Sequence, residues 1–435
     1  MNTDNYRLGP LRLAPGVRPY HAVCFLLTAL LGILLTTYIS TIQPYVLAVN
    51  LALPDDQQGR VSGLALFAGE LVLLICSASI GALSDRLGRR MVFAVGVVLL
   101  ALGYVTFAYV DTVTMLVVIR MFMSLGIAVV NVMVAALMID YPAEDSRGKV
   151  VAAAGIAIGF GNILIGVVFL RLPQIYAARG MDELMAGRVT MFTMAVLCLL
   201  LAFLIGVGIK GGLPDRVNRS ESFAKRVTMG FKAGRERGRI LLAYCCAFVA
   251  RGDLVVMGTF FTLWLTQAGM QSGLAPEDAA QQAGIRFAMV MTAALLWAPV
   301  MGWLNDRMDR ARAMGLAMGL AAVGYVGVAF VPDPFGVWMY PAGVLLGIGQ
   351  ISAVTASQTL IGQESPPAYR GSVVGMFSMF GAAGILFIST VGGWVFDSIS
   401  QVAPFVVIGI ANAILCIAAY LVAARTTARE DSAEI

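Results

Sequence analysis

Twelve stretches of about 20 or more mostly apolar residues follow one another with only short polar breaks, and this succession restricts the chain more than any motif in it. They fall near 22–49, 60–83, 91–110, 113–139, 148–170, 188–209, 240–267, 283–304, 312–331, 336–360, 371–396 and 403–424. About 20 residues of helix cross a hydrocarbon core of roughly 30 Å. Helix satisfies every backbone group there without a closed barrel, and no stretch alternates as a strand would. With 59% apolar and 13% charged residues and a mean hydropathy of +0.84, a soluble domain of 435 residues is excluded. The expected fold class is an all-α membrane protein of twelve transmembrane helices in two pseudo-symmetric six-helix bundles. The first stretch is too long for a signal-peptide core and reads as a retained span.

The loops carry their charge on one side. Counting alternate loops and both termini together with the span ends that adjoin them, 23 of the 30 Lys and Arg lie on one face, 5 on the other and 2 deep inside spans. Such a bias marks the cytoplasmic face. Both termini and the segment between the halves are therefore expected in the cytoplasm of an inner-membrane protein, and the net charge of +5 reflects topology rather than nucleic-acid binding. All six cysteines fall inside spans and His21, the single histidine, stands just before the first, so neither a disulfide framework nor a metal spacing emerges. No phosphate loop, nucleophile triad or metal box is present, and enzyme chemistry has no candidate residues.

A polar turn between the second and third spans recurs in the second half. Gly81-Ala-Leu-Ser-Asp85-Arg86-Leu-Gly88-Arg89-Arg90 is echoed by Gly302-Trp-Leu-Asn-Asp306-Arg307. Asp85 and Asp306 are 221 residues apart, as are Gly126 and Gly347, and Arg147-Gly148 and Arg370-Gly371 are 223 apart. One spacing at three landmarks is an internal duplication. The expected division is a first bundle over 1–209, a basic linker over 210–239 and a second bundle over 240–435. The Gly-x-x-x-Asp-Arg-x-Gly-Arg-Arg turn resembles the signature loop of the major facilitator superfamily of secondary transporters. The resemblance implies two bundles rocking about a central cavity, with Gly81, Asp85, Arg86, Gly88, Arg89, Asp306 and Arg307 in a cytoplasmic latch. Asp140 resembles the acid that joins such a latch through an arginine like Arg89.

Four ionisable residues fall inside spans, where each costs about 2.5–3.5 kcal/mol unless paired or in water. They are Glu70, Arg120, Arg251 and Asp253, and their counterparts 221 residues away are uncharged. A duplicated scaffold needs symmetric residues, so these asymmetric charges point to a substrate and proton site. Two buried structural ion pairs would be the other reading. Arg251 and Asp253 lie about 200° apart around a helix and cannot face each other. Leu116-x-x-x-Arg120-x-x-Met123-Ser124-x-Gly126 is similar to the fourth-span motif of proton-coupled drug antiporters, although Met123 and Ser124 stand where the family has Gln and Gly. The resemblance implies that the first, fourth, seventh and tenth spans line the cavity, which places Asp253 across from Arg120. Tyr38, Gln43, Tyr45, Asn131, Trp264, Gln350, Thr355 and Gln358 are candidates for its wall.

Two further features bear on assembly. Gly155-x-x-x-Gly159 and Gly371-x-x-x-Gly375 occupy matching places in the fifth and eleventh spans and read as close helix contacts. In the linker, Phe223, Val227 and Phe231 recur every four residues, as in an amphipathic helix on the inner membrane surface. The functional expectation is a monomeric, proton-coupled exporter of a small amphipathic or anionic organic molecule, using the proton gradient and no bound cofactor. Proton symport of an organic anion, a lipid flippase and a non-transporting membrane sensor are the alternatives.

Overall fold

The computed structural model describes residues 7–212, 223–366 and 369–431. Residues 213–222 of the expected linker, and the outermost residues of both termini, lie outside the described residues. The helices are α1 (Pro19–Val49), α2 (Asp55–Leu87), α3 (Arg89–Phe107), α4 (Val113–Asp140), α5 (Arg147–Val167), α6 (Leu172–Ala177), α7 (Glu183–Gly208) and α8 (Phe223–Glu236). They continue as α9 (Gly238–Val255), α10 (Thr262–Gln271), α11 (Pro276–Arg307), α12 (Arg310–Val328), α13 (Met339–Glu364), α14 (Arg370–Ser398) and α15 (Ala403–Asp431). A π-helical segment, Val256–Phe261, joins α9 to α10. Among the described residues, twelve helical spans are long and apolar enough to cross a membrane, and they coincide with the twelve stretches read from the sequence. Large apolar side chains such as Leu200, Phe203 and Ile417 remain exposed, which a bilayer tolerates and water does not.

Short polar signals set the helix ends. Thr112 and Asp182 accept the backbone N–H groups of Met115 and Met185, and Asp309 accepts those of Ala311 and Arg312. Ala275-Pro276-Glu277-Asp278 opens α11, with Pro in the first turn and two acids at the positive end of the dipole. Ahead of α1, a two-stranded hairpin (Arg7–Leu8 with Leu11–Arg12) packs on the α4–α5 connection through an Arg12–Asp145 ion pair of 2.6 Å. The Tyr141 hydroxyl accepts from the Lys210 backbone at 3.0 Å, and burial pushes its phenol above the ordinary tyrosine range.

Contacts group the chain into two compact units, one of Met1–Pro54, Leu64–Asn218 and Gly269–Ala288, the other of Asp55–Gly63, Arg219–Ala268 and Met289–Ile435. The same pairs of helices meet in both. In the first unit α3 packs on α4 and α7 while α1 packs on α5; in the second α12 packs on α13 and α15 while α9 packs on α14. The duplication is thus visible as repeated packing. Within the second unit the buried Asp397 carboxylate accepts the backbone N–H groups of Gly59 at 2.8 Å and Arg60 at 2.7 Å, and Gln267 donates to the Asp55 carbonyl at 3.1 Å.

Of the four glycines expected at close helix contacts, three stand open. Among the described residues, a Cβ added at Gly155, Gly371 or Gly375 would meet nothing within 4 Å. Gly161 faces the Leu30 carbonyl of α1, and Gly384 faces the Phe248 backbone of α9 so closely that no side chain fits. Four-residue spacing shows that two glycines share a face, but only packing decides which face meets a neighbour. The linker helix α8 does form. Its small face docks on the bundle, where Tyr244 donates to the Gly230 carbonyl at 3.0 Å and Ala233 is buried, while Phe231 stays exposed.

Candidate functional site

Arg120 lies one to two turns into α4 and is buried. Its Nη2 donates to Ser40 Oγ of α1 at 3.0 Å, and its own carbonyl accepts from Ser124 Oγ at 2.9 Å. Gly69 of α2 brings that helix against the same turn, since a Cβ there would lie 2.5 Å from Ser124 Oγ. Arg120 Nε and Nη1 have no hydrogen-bond partner among the described residues, and no carboxylate pairs with the guanidinium. One turn beyond Ser40 on α1, the buried Gln43 leaves both its amide oxygen and nitrogen without partners. A buried polar group normally finds a partner. Three unsatisfied donors and an acceptor thus lie on the adjoining α1 and α4.

The other first-half candidates divide. Tyr38 is buried and donates to the Phe169 carbonyl at 3.1 Å, and Tyr45 donates to that of Glu183 at 2.5 Å, so both close the interior of their bundle. Asn131 is exposed and Glu70, adjacent to Gly69, is half-buried.

In the second unit Arg251 and Asp253 point apart, as their angular separation requires. The Arg251 stem lies beside Gly381 of α14, whose added Cβ would be 2.8 Å from Cγ. Asp253 is wholly buried and its Oδ1 accepts from Asn412 Nδ2 of α15 at 3.0 Å. The resemblance implied a place opposite Arg120; its carboxylate meets Asn412, which stands on the twelfth span, outside the four spans expected to line the cavity. Trp264 packs edge-on to Phe405 at 5.8 Å, Gln350 is buried, Thr355 bonds back to the Ile351 carbonyl at 2.7 Å and Gln358 is exposed.

The polar turn of the first half closes as one cluster. Arg89 reaches Asp85 at 2.9 Å, Asp140 at 3.1 Å and Ser84 Oγ at 2.6 Å. Gly88 takes φ +92°, and a Cβ there would also crowd the Gly212 carbonyl at 3.1 Å, so this turn requires glycine. Arg86 is exposed and Gly81 faces Val132 loosely. In the second half the corresponding bridge is made by other residues. Arg239 joins Asp309 at 3.1 Å and Glu364 at 3.3 Å, while Arg307 stacks over Trp303 at 4.3 Å and Asp306 lines a cavity of about 240 Å³ with Arg239, Asn305 and Arg310. Glu364 lies 224 residues after Asp140 and could have been found by the repeat spacing. Arg239 could not, because the bridging arginine enters from the start of α9 rather than α12.

The profile of the Major Facilitator Superfamily matches residues 24–387 and again 277–434. The chain belongs to that superfamily. As in other superfamily transporters, no enzymatic step is involved. Magnetosome protein MamH of Paramagnetospirillum magneticum is 29% identical over 403 residues, covering 91% of this chain and 90% of the relative. MamZ of the same organism is 24% identical over 90% of this chain, which spans 61% of that longer protein. Among solved structures, the nucleoside transporter NupG superposes with a TM-score of 0.71 at 16% identity over 92% of this chain and 98% of the other, and a D-xylose-proton symporter with 0.68 at 17% over 92% and 97%. These structures share the superfamily fold.

Proposed function

We propose that this superfamily transporter exports a small amphipathic or anionic organic molecule in exchange for protons. The observation that carries the reading is the buried Arg120 guanidinium, held at one nitrogen by Ser40 and left with two open donors. A buried charge requires a partner, and a substrate carboxylate or similar group supplies it while crossing. Guanidinium offers such groups a planar fork. Exchange with protons is supported by the likeness of the α4 sequence to antiporters, and Asp253 or Glu70 is the carboxyl that carries the proton. Arg251 adds a second cation to the path. The bundles of 1–209 and 240–435, joined by the basic 210–239 linker, are the bodies that move. The loop charge supports a cytoplasmic position for the Arg89 cluster at an inner membrane; relatives described as magnetosome proteins extend the proposal to a magnetosome membrane.

Flux of radiolabelled organic anions in proteoliposomes under a pH gradient of each sign tests it. Export requires counterflow of anion against the proton gradient. Accumulation along with protons would replace export by symport, and no flux with any gradient would remove coupling.

Asp85, Arg89 and Asp140 are proposed as the latch holding one bundle arrangement. Coupling energies of this kind run about 1–3 kcal/mol, and part-exposed side chains place this one at the low end. Asp85→Asn is expected to shift the resting population toward inward-open by about 5-fold, read by cysteine accessibility on both faces. Unchanged accessibility together with normal flux would remove the latch role.

A further inference from the structure

The second unit encloses a carboxylate that the rest of its bundle does not neutralise. Asp253 on α9 is 0% exposed, as is Asn412 on α15. Asn412 Nδ2 donates to Asp253 Oδ1 at 3.0 Å and to the Ile408 carbonyl at 3.0 Å, which fixes the amide. Tyr325 of α12, also 0% exposed, gives its hydroxyl proton to the Asp253 backbone carbonyl at 3.0 Å. That donor is thus committed to the main chain, just before the helix widens into its π-helical segment at Val256. Two oxygens are left over: Asp253 Oδ2 and Asn412 Oδ1 have no partner among the described residues.

The surroundings supply no cation. The adjacent Gly252 lies against Ile408 and Ile388 of α15 and α14. The titratable groups that face Asp253 are Cys246, two turns earlier on α9, and Tyr325. Arg251 lies beside Gly381, and among the described residues no Lys, Arg or His forms an ion pair with Asp253. An isolated carboxylate in so dry a place is very costly.

An acid and an amide joined by one N–H···O bond form a second bond, O–H···O, between their remaining oxygens as soon as the acid carries a proton. Those are the two oxygens left over here. We propose that Asp253 and Asn412 form a buried acid–amide pair that binds one proton between Asp253 Oδ2 and Asn412 Oδ1. The proton is taken from the aqueous phase, forms an O–H bond on Oδ2, cancels the carboxylate charge and satisfies both orphaned oxygens; no other bond changes. A metal cation fits less well, because hard cations gather about six or more oxygens and this node offers two. No group of three or more His, Cys, Asp or Glu among the described residues could hold a metal ion. The pair deepens the proton-coupling reading by naming Asn412 as the positioning residue of one carrier.

Infrared spectra of the full-length protein in lipid, recorded across a pH series, read the proton directly. A carboxylic-acid C=O band is expected, lost in Asp253→Asn, shifted in Asn412→Ala and retained in Glu70→Gln. Asp253→Asn leaves an amide pair of the same shape, so loss of the band is not an effect of unfolding. A spectrum unchanged by Asp253→Asn, or a band that sodium chloride removes at fixed pH, overturns the pair. Flux is a separate readout: an intact band with no proton-driven transport refutes coupling alone, and coupled transport without the band refutes the pair alone.

Discussion

Arg120→Ala is expected to lower gradient-driven flux at least about 30-fold while the protein still inserts and extracts as a single species. Truncating one member of a buried, hydrogen-bonded charge pair costs about 2–5 kcal/mol, and the lower figure already corresponds to about 30-fold at 1.36 kcal/mol per decade. In the proposed function the second member is the anionic group of the substrate, so the loss should appear in binding as well as in flux. Folding should survive, because the alanine removes a buried charge that the bundle only partly satisfies: among the described residues, Ser40 is the one side chain that accepts from it. Arg120→Lys separates charge from geometry. Lysine restores a point charge but not the planar fork, so a variant that recovers little flux assigns the role to bidentate recognition. Wild-type flux in Arg120→Ala would remove Arg120 as the anchor, and with it the reading of the transported molecule as an anion.

The largest loss of stability is expected from Gly384→Leu. The helix α14 passes the backbone of α9 at this position, where an added Cβ would come within 2.7 Å of the Phe248 carbonyl carbon and 3.0 Å of its Cα. Backbone atoms cannot swing aside as a side-chain tip can. Overpacking of a tight contact costs about 1–3 kcal/mol, and a leucine placed against main chain belongs at or above the top of that range. The measurements are the thermal transition in detergent and the fraction recovered as a monodisperse species. Gly375→Leu is the control, since on the same helix it would meet nothing within 4 Å. Equal behaviour of the two variants would show that the α9–α14 contact does not limit stability.

That pair of glycines also shows what could and could not be read in advance. Span number, helical class and duplication were legible because each rests on chain-local physics: apolar length sets the span, and a shared spacing of 221 marks the repeat. The meeting of Asp85, Arg89 and Asp140 was legible too, through the likeness of their turn to the superfamily's signature loop, and the structure joins them within 3.1 Å. Arg120 announced itself as a charge inside an apolar run.

Partners were another matter, because rotation about a helix axis costs nothing in the sequence and is fixed only by neighbours. The sequence by itself determined twelve apolar helices, their repeat and which charges are too expensive to be idle. Only the tertiary structure decided that Arg120 meets Ser40, that Asp253 meets Asn412 across 159 residues of chain, and that Arg239 rather than Arg307 bridges Asp309 and Glu364. Burial energies follow composition along the chain, whereas hydrogen bonds and close glycine contacts depend on which faces the packed helices turn toward one another.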